Sequence, residues 1–94
     1  TGVDLSNKDL TGTILTGANL SNAKLLDVNL AGANLQNADL RHTLLANANL
    51  LNAILTDANL SNAVLSGAIL SGANIENAIL TNAILNCVGH PICA

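Results

Sequence analysis

The chain has 94 residues, half of them hydrophobic, yet it holds no Phe, Trp, Tyr or Met. Its net charge is −3, with six acids set against Lys8, Lys24 and Arg41. That balance excludes the basic footprint of a nucleic-acid binder and the polybasic patch of an anionic-lipid binder. No apolar run approaches the roughly 20 residues that a membrane-spanning helix needs, so no membrane insertion is expected.

In chain order, the sequence starts at Thr1 already in a five-residue register and without Met. It reads as a processed or excised piece, with any signal peptide or further domain out of view. The register runs from Val3 to Cys87 as seventeen copies. A step of five residues turns an α-helix by about 140° net, which scatters the leucines around the cylinder. In a flat strand an odd period puts successive leucines on opposite faces. A chain that turns a corner once per repeat buries them all.

Three columns divide the work. The repeat centre is Leu in sixteen copies, from Leu5 to Leu85, and Ile75 in the other. Two residues earlier stands a small residue: Ala in twelve copies, otherwise Val3, Thr13, Val28, Thr43 and the outlier Lys8. Two residues after the centre comes Asn, Gly or Asp in fifteen copies, with His42 and Cys87 as exceptions. Leu fills the interior, and Ala also faces inward near the corner, where little room remains. Asn, Gly and Asp tolerate the positive φ required at the third position of a type II turn. Thr13 and Thr43 are expected inward with their hydroxyls bonded to backbone, and Lys8 is expected to reach solvent from the first coil.

The segments "AGANLQNADL" and "TDANLSNAVL" carry the pattern A-(N/D)-L-x-x. The chain therefore resembles the pentapeptide-repeat proteins, and the match extends over all seventeen copies. The resemblance implies an all-β fold, a right-handed quadrilateral parallel β-helix (solenoid) of about four coils with Leu at the inward centres. Each coil would hold about twenty residues, so that Leu5, Leu25, Leu45, Leu65 and Leu85 stack as one ladder at roughly 4.8 Å spacing. The expected division is a pentapeptide-repeat β-helix over 1–87 and a C-terminal capping tail over 88–94.

The tail "NCVGHPICA" leaves the register after Cys87, and Gly89 with Pro91 marks a turn. A disulfide between Cys87 and Cys93 would pin it over the last coil. The spacing Cys-x2-His-x2-Cys also admits zinc ligation with His90 as a third ligand, and free thiols remain a third possibility. Members of the resembled family are abundant in cyanobacteria, and some lumenal or periplasmic ones carry a disulfide near one end. That resemblance favours the disulfide, and the periplasm or thylakoid lumen over the cytoplasm.

No catalytic, cofactor-binding or metal-binding set is expected. His42 is expected at an exposed corner, and the acids Asp4, Asp9, Asp27, Asp39, Asp57 and Glu76 fall on different sides and levels. Asp4 and Lys24, one coil apart in one column, suggest a cross-coil ion pair of little worth at the surface. The outward position before each centre says more. It becomes Leu44, Val64 and Ile84 at intervals of twenty, with Leu26 outward on the same side and Leu51 and Ile69 on the adjacent one. This apolar stripe is the candidate interface, for a protein partner or for self-association. Outward β-branched residues also arise simply from β propensity.

Three functional classes follow. The first, favoured by the stripe, is a non-enzymatic structural or protein-interaction module. The second is the DNA-mimic inhibition of DNA gyrase known for some members of the resembled family, which needs a long, strongly acidic rod. The third is an ice- or surface-binding rod, but Thr11, Thr16, Thr56 and Thr81 form no column repeated at every coil.

Overall fold

The computed structural model describes residues 2–93. Every fifth residue from Gly2 to Asn82 has positive φ, between 57° and 70°. From Asn7 on, each is the third residue of a turn closed by backbone, as where the Ala53 N–H donates to the Leu50 carbonyl at 3.0 Å. His42 adopts the same conformation, φ 60°, despite its bulk. Parallel β-bridges join residues twenty apart, from Asp4 with Lys24 to Val64 with Ile84. A corner every five residues and a bridge every twenty make a stack of four-sided coils.

Each repeat up to the one centred on Leu65 is tied to the next coil by three backbone bonds. The Leu45 N–H donates to Val64 at 2.7 Å, the Asn47 N–H to Ser66 at 2.8 Å, and the Val64 N–H to Thr43 at 2.9 Å. The bridged columns define four walls. Wall 1 carries Asp4, Lys24, Leu44, Val64 and Ile84; wall 2 carries Asp9, Asn29, Asn49, Ile69 and Val88. Wall 3 carries Ile14, Asn34, Ile54 and Asn74; wall 4 carries Asn19, Asp39, Asn59 and Ile79.

The centres and small residues form one narrow core. Every centre from Leu25 to Leu70 is at most 1% exposed, as are Ala23, Ala33, Ala38 and the alanines from Ala48 to Ala68. Each such Leu is worth roughly 1.5–3 kcal/mol of burial. Thr43 is fully buried, and its hydroxyl donates to the Leu40 carbonyl at 2.8 Å. Thr13 repeats the contact on Leu10. No buried side-chain nitrogen or oxygen lacks a partner among the described residues. The end coils are thinner: Leu5, Leu10 and Leu15, and again Ile75, Leu80 and Leu85, are only partly buried. Lys8 is exposed in the first coil.

The register slips once, at the last corner. Ile69 bridges Val88 and not Gly89, so this corner is one residue short. Cys87 thereby takes the inward place that Ala fills in other repeats, and it is 8% exposed. Cys87 and Cys93 are joined by a disulfide, with Cα atoms 4.9 Å apart. Ile92 and Cys93 pack on the core. Gly89, at φ 88°, passes so close to Ser71 that a Cβ there would strike its hydroxyl and crowd its amide nitrogen.

Candidate functional site

The column before each centre is where the outer surface varies, and apart from Lys24 its two residue classes do different things. Where it is Asn or Asp, the side-chain oxygen folds over the corner and accepts the N–H two residues on. All nine such residues do this, from Asp4 with Ser6 at 3.0 Å to Asn74 with Glu76 at 3.0 Å. Asn19 and Asn59 also accept the hydroxyls of Ser21 and Ser61, at 2.8 and 2.6 Å. This Asx turn satisfies a corner N–H that has no backbone partner. It gives the N/D of the motif a structural role that periodicity alone did not reveal.

The expected Asp4–Lys24 ion pair does not form. The two residues are bridged through backbone, but the Asp4 carboxylate turns to the Ser6 N–H instead. Among the described residues the one salt bridge joins Arg41 to Asp39, bidentately, with Nε at 2.8 Å and Nη2 at 2.7 Å. The Arg41 guanidinium holds the Asp39 carboxyl below the usual carboxylate range, and Asp39 in turn raises Arg41. Bonds from the Ser6 N–H lower Asp4, and the Thr11 hydroxyl followed by the Thr11 N–H lowers Asp9. The described residues form no pocket. The side chains on offer are those of the walls.

Where the column is aliphatic, the Asx bond is forgone and a methyl-bearing surface replaces it. Leu44 (37% exposed), Val64 and Ile84 (49%) follow one another up wall 1, each bridged to the next. Leu26 is half-buried at the corner leading to wall 2, and the Ser6 hydroxyl accepts its N–H at 3.2 Å. On wall 2 Ile69 and the slipped Val88 are bridged, 40% and 57% exposed. Leu51 (40%) stands at the far corner of that wall. The apolar surface thus wraps one corner of the rod.

It is not confined there. Ile14, the most exposed of all at 82%, and Ile54 lie on wall 3, and Ile79 lies on wall 4. The sequence reading left these out, with Val88, although three of the four occupy the same column as Leu44 and could have been read from it. Val88 could not, because its place depends on the slip.

Cys87 and Cys93 are bonded to each other, which removes the thiolates that a zinc site with His90 would require. His90 instead takes the Ile92 N–H on Nδ1 at 3.3 Å, and its carbonyl accepts the Cys93 N–H at 2.9 Å. The Arg41 side chain reaches Asp39, not His42, which stays exposed at its corner. No helix among the described residues is long and apolar enough to cross a membrane.

Comparison with known proteins places this architecture. The model for pentapeptide repeats matches in eight copies, over residues 1–30, 25–62 and 55–86. Rfr23, a pentapeptide repeat protein from the cyanobacterium Cyanothece 51142, is 43% identical with a TM-score of 0.89 over 93% of this chain. A pentapeptide repeat protein from Nostoc PCC 7120 is 35% identical, with a TM-score of 0.81 over 84% of this chain and 68% of its own. One from the Arabidopsis thaliana thylakoid lumen is 31% identical, with a TM-score of 0.52 over 93% of this chain and 65% of its own. The chain spans 60% of the length of Rfr23. No curated protein matches the sequence. With nearly its whole length matched by the repeat model and by Rfr23, the chain belongs to the pentapeptide-repeat family.

Proposed function

We propose that the chain is a non-enzymatic protein-interaction module, a right-handed quadrilateral β-helix over 1–87 with a tail over 88–94 (Thr1 and Ala94 lie outside the described residues), working through the apolar corner between walls 1 and 2. The supporting observation is the unbroken run of Leu44, Val64 and Ile84 over three successive coils. On wall 3, by contrast, Ile14 and Ile54 alternate with Asn34 and Asn74. Each aliphatic residue gives up an Asx bond of the kind worth about 0.5–1.5 kcal/mol. The column is therefore not the arrangement that best satisfies the corners.

Size sets the shape of the partner. The accessible surface of 4432 Å² is shared by four walls and two ends, so a standard stable interface of roughly 800 Å² per partner takes more than one wall's equal share. A tight partner must therefore wrap the corner, from Leu44, Val64 and Ile84 onto Ile69 and Leu51. Lysine at Val64 is expected to abolish binding of that partner, whereas lysine at Asn74, on the opposite wall, leaves it intact. Equal loss from both variants, or none from either, overturns the reading.

An oxidising compartment, the periplasm or thylakoid lumen, fits the Cys87–Cys93 disulfide and the similarity to the thylakoid lumen protein of Arabidopsis. The gyrase-directed DNA-mimic reading draws no support from the acids. They are dispersed among walls and corners, and Asp39 is already paired with Arg41.

A further inference from the structure

Every inner coil hands the same backbone groups to its C-terminal neighbour: the N–H of each centre, the N–H of each turn residue, and the carbonyl of each small inward residue. In the last coil these groups have no taker. Among the described residues, the N–H groups of Ile75, Asn77, Leu80 and Asn82 and the carbonyls of Ala73 and Ala78 make no backbone hydrogen bond. The core beneath is thinly covered too, since Ile75, Leu80 and Leu85 are partly buried while Leu70 is 1% exposed. Open strand edges of this kind template pairing with another chain.

Beyond the last wall residue the tail packs against the core through Ile92 and Cys93, and it is attached in two distinct ways. Val88 belongs to wall 2, with its N–H on Ala68 and its carbonyl accepting Leu70, both at 2.8 Å. Residues 89–93 make no backbone hydrogen bond to the coil below; their one such bond, from Cys93 to His90, is internal. Beyond Val88 the tail is held by the disulfide and by the apolar contact of Ile92 and Cys93 with the core.

We propose that the Cys87–Cys93 loop is a removable cap, whose reduction bares the last coil as an end-pairing surface for a second copy of this chain. A dithiol supplies two electrons and two protons: the S–S bond becomes two thiols, and the dithiol closes to its own disulfide. The first attack falls on Cys93, the less buried residue of the pair. Cys87 remains in its inward place, and residues 89–93 lift away.

A second copy fits because the bared surface is a ring of strand edges with one cross-section. An extended peptide pairs with one side of such a ring, whereas another coil of the same size pairs with several. Across a twofold axis, the Ile75 N–H of each copy faces the Ala73 carbonyl of the other, the exchange of an antiparallel pair. The contact closes on itself as a dimer and uses the end of the rod, not the apolar corner.

The test is the molar mass of the full chain by light scattering, oxidised and after a dithiol such as dithiothreitol, in wild type and Val64→Lys. The expected result is a monomer when oxidised and a dimer when reduced, with at least tenfold tighter association, equally in both proteins. The Cys87→Ser/Cys93→Ser variant should dimerise without reductant, and hydrogen exchange should slow at Ile75, Asn77 and Leu80 in the dimer. Equal masses in the two redox states overturn the proposal. So does loss of β circular dichroism on reduction, because the disulfide is then a staple for the fold and not a cap. Dimerisation that Val64→Lys abolishes also overturns it, by moving the contact to the wall.

Discussion

The Oδ1 of Asn59 accepts two hydrogen bonds from Ser61, 3.0 Å from its N–H and 2.6 Å from its hydroxyl. One side chain thus closes a corner of wall 4 from outside while Leu60, between them, fills the core from inside. Asn59→Ala should cost about 1 kcal/mol in urea denaturation by leaving the Ser61 N–H to water alone. Asn59→Asp keeps the acceptor and should cost less than half as much. Equal losses would mean that the Asx bond contributes nothing to stability.

Acid should loosen the same corners where they are built on Asp. Asp4, Asp9 and Asp39 have folded-state pKa values lowered, by the Ser6 N–H, the Thr11 hydroxyl and the Arg41 side chain respectively. A depressed carboxyl contributes stability above its unfolded value and loses it as the pH falls through the folded one. The urea midpoint should therefore hold from pH 7 to about 5 and fall below about pH 4. Replacing all three with Asn retains the acceptors and should flatten the acid limb. An unchanged limb would assign the loss to other groups.

Gly12 isolates the backbone demand of the corner. Its φ is 67° and a Cβ there would meet open space, so only conformation resists substitution. Gly12→Val should destabilise by roughly 1–2 kcal/mol, whereas Gly12→Asn, the residue found two coils along the same corner at Asn52, should cost well under half of that. Thermal melts of the two variants check this, and equal effects would contradict it.

The core should be graded along the rod. Leu50 is fully buried, and Leu50→Ala should cost about 2–5 kcal/mol. Leu5 is partly buried in the first coil, and Leu5→Ala should cost less than half as much in the same denaturation experiment. A uniform cost would mean that the end coils are packed as tightly as the middle.

These contrasts show what was legible in the sequence. Leu at every fifth position, with Asn, Gly or Asp two residues later, specified the corners down to His42, because one steric constraint recurs each time. The same columns placed Thr13 and Thr43 inward. The Asx bonds were not legible, because an outward Asn has many partners in principle and only folded geometry selects the N–H two residues on. The Asp4–Lys24 pair failed for that reason: a local acceptor role outcompeted a screened surface charge. The slip was hidden because it lies where the repeat ends, and with it went the place of Val88 beside Ile69 on wall 2. Ile14, Ile54 and Ile79 were legible, since they share the repeat position of Leu44, but they stand on walls 3 and 4, away from its stripe.

The most direct measurement of the central claim is photo-crosslinking from a probe at position 64 on wall 1, paired with one at position 74 on the opposite wall, in cells of the source organism. The account predicts one discrete protein adduct from position 64, removed by Leu44→Lys, and none from position 74. Adducts of equal yield from both positions, or none from position 64, would contradict it.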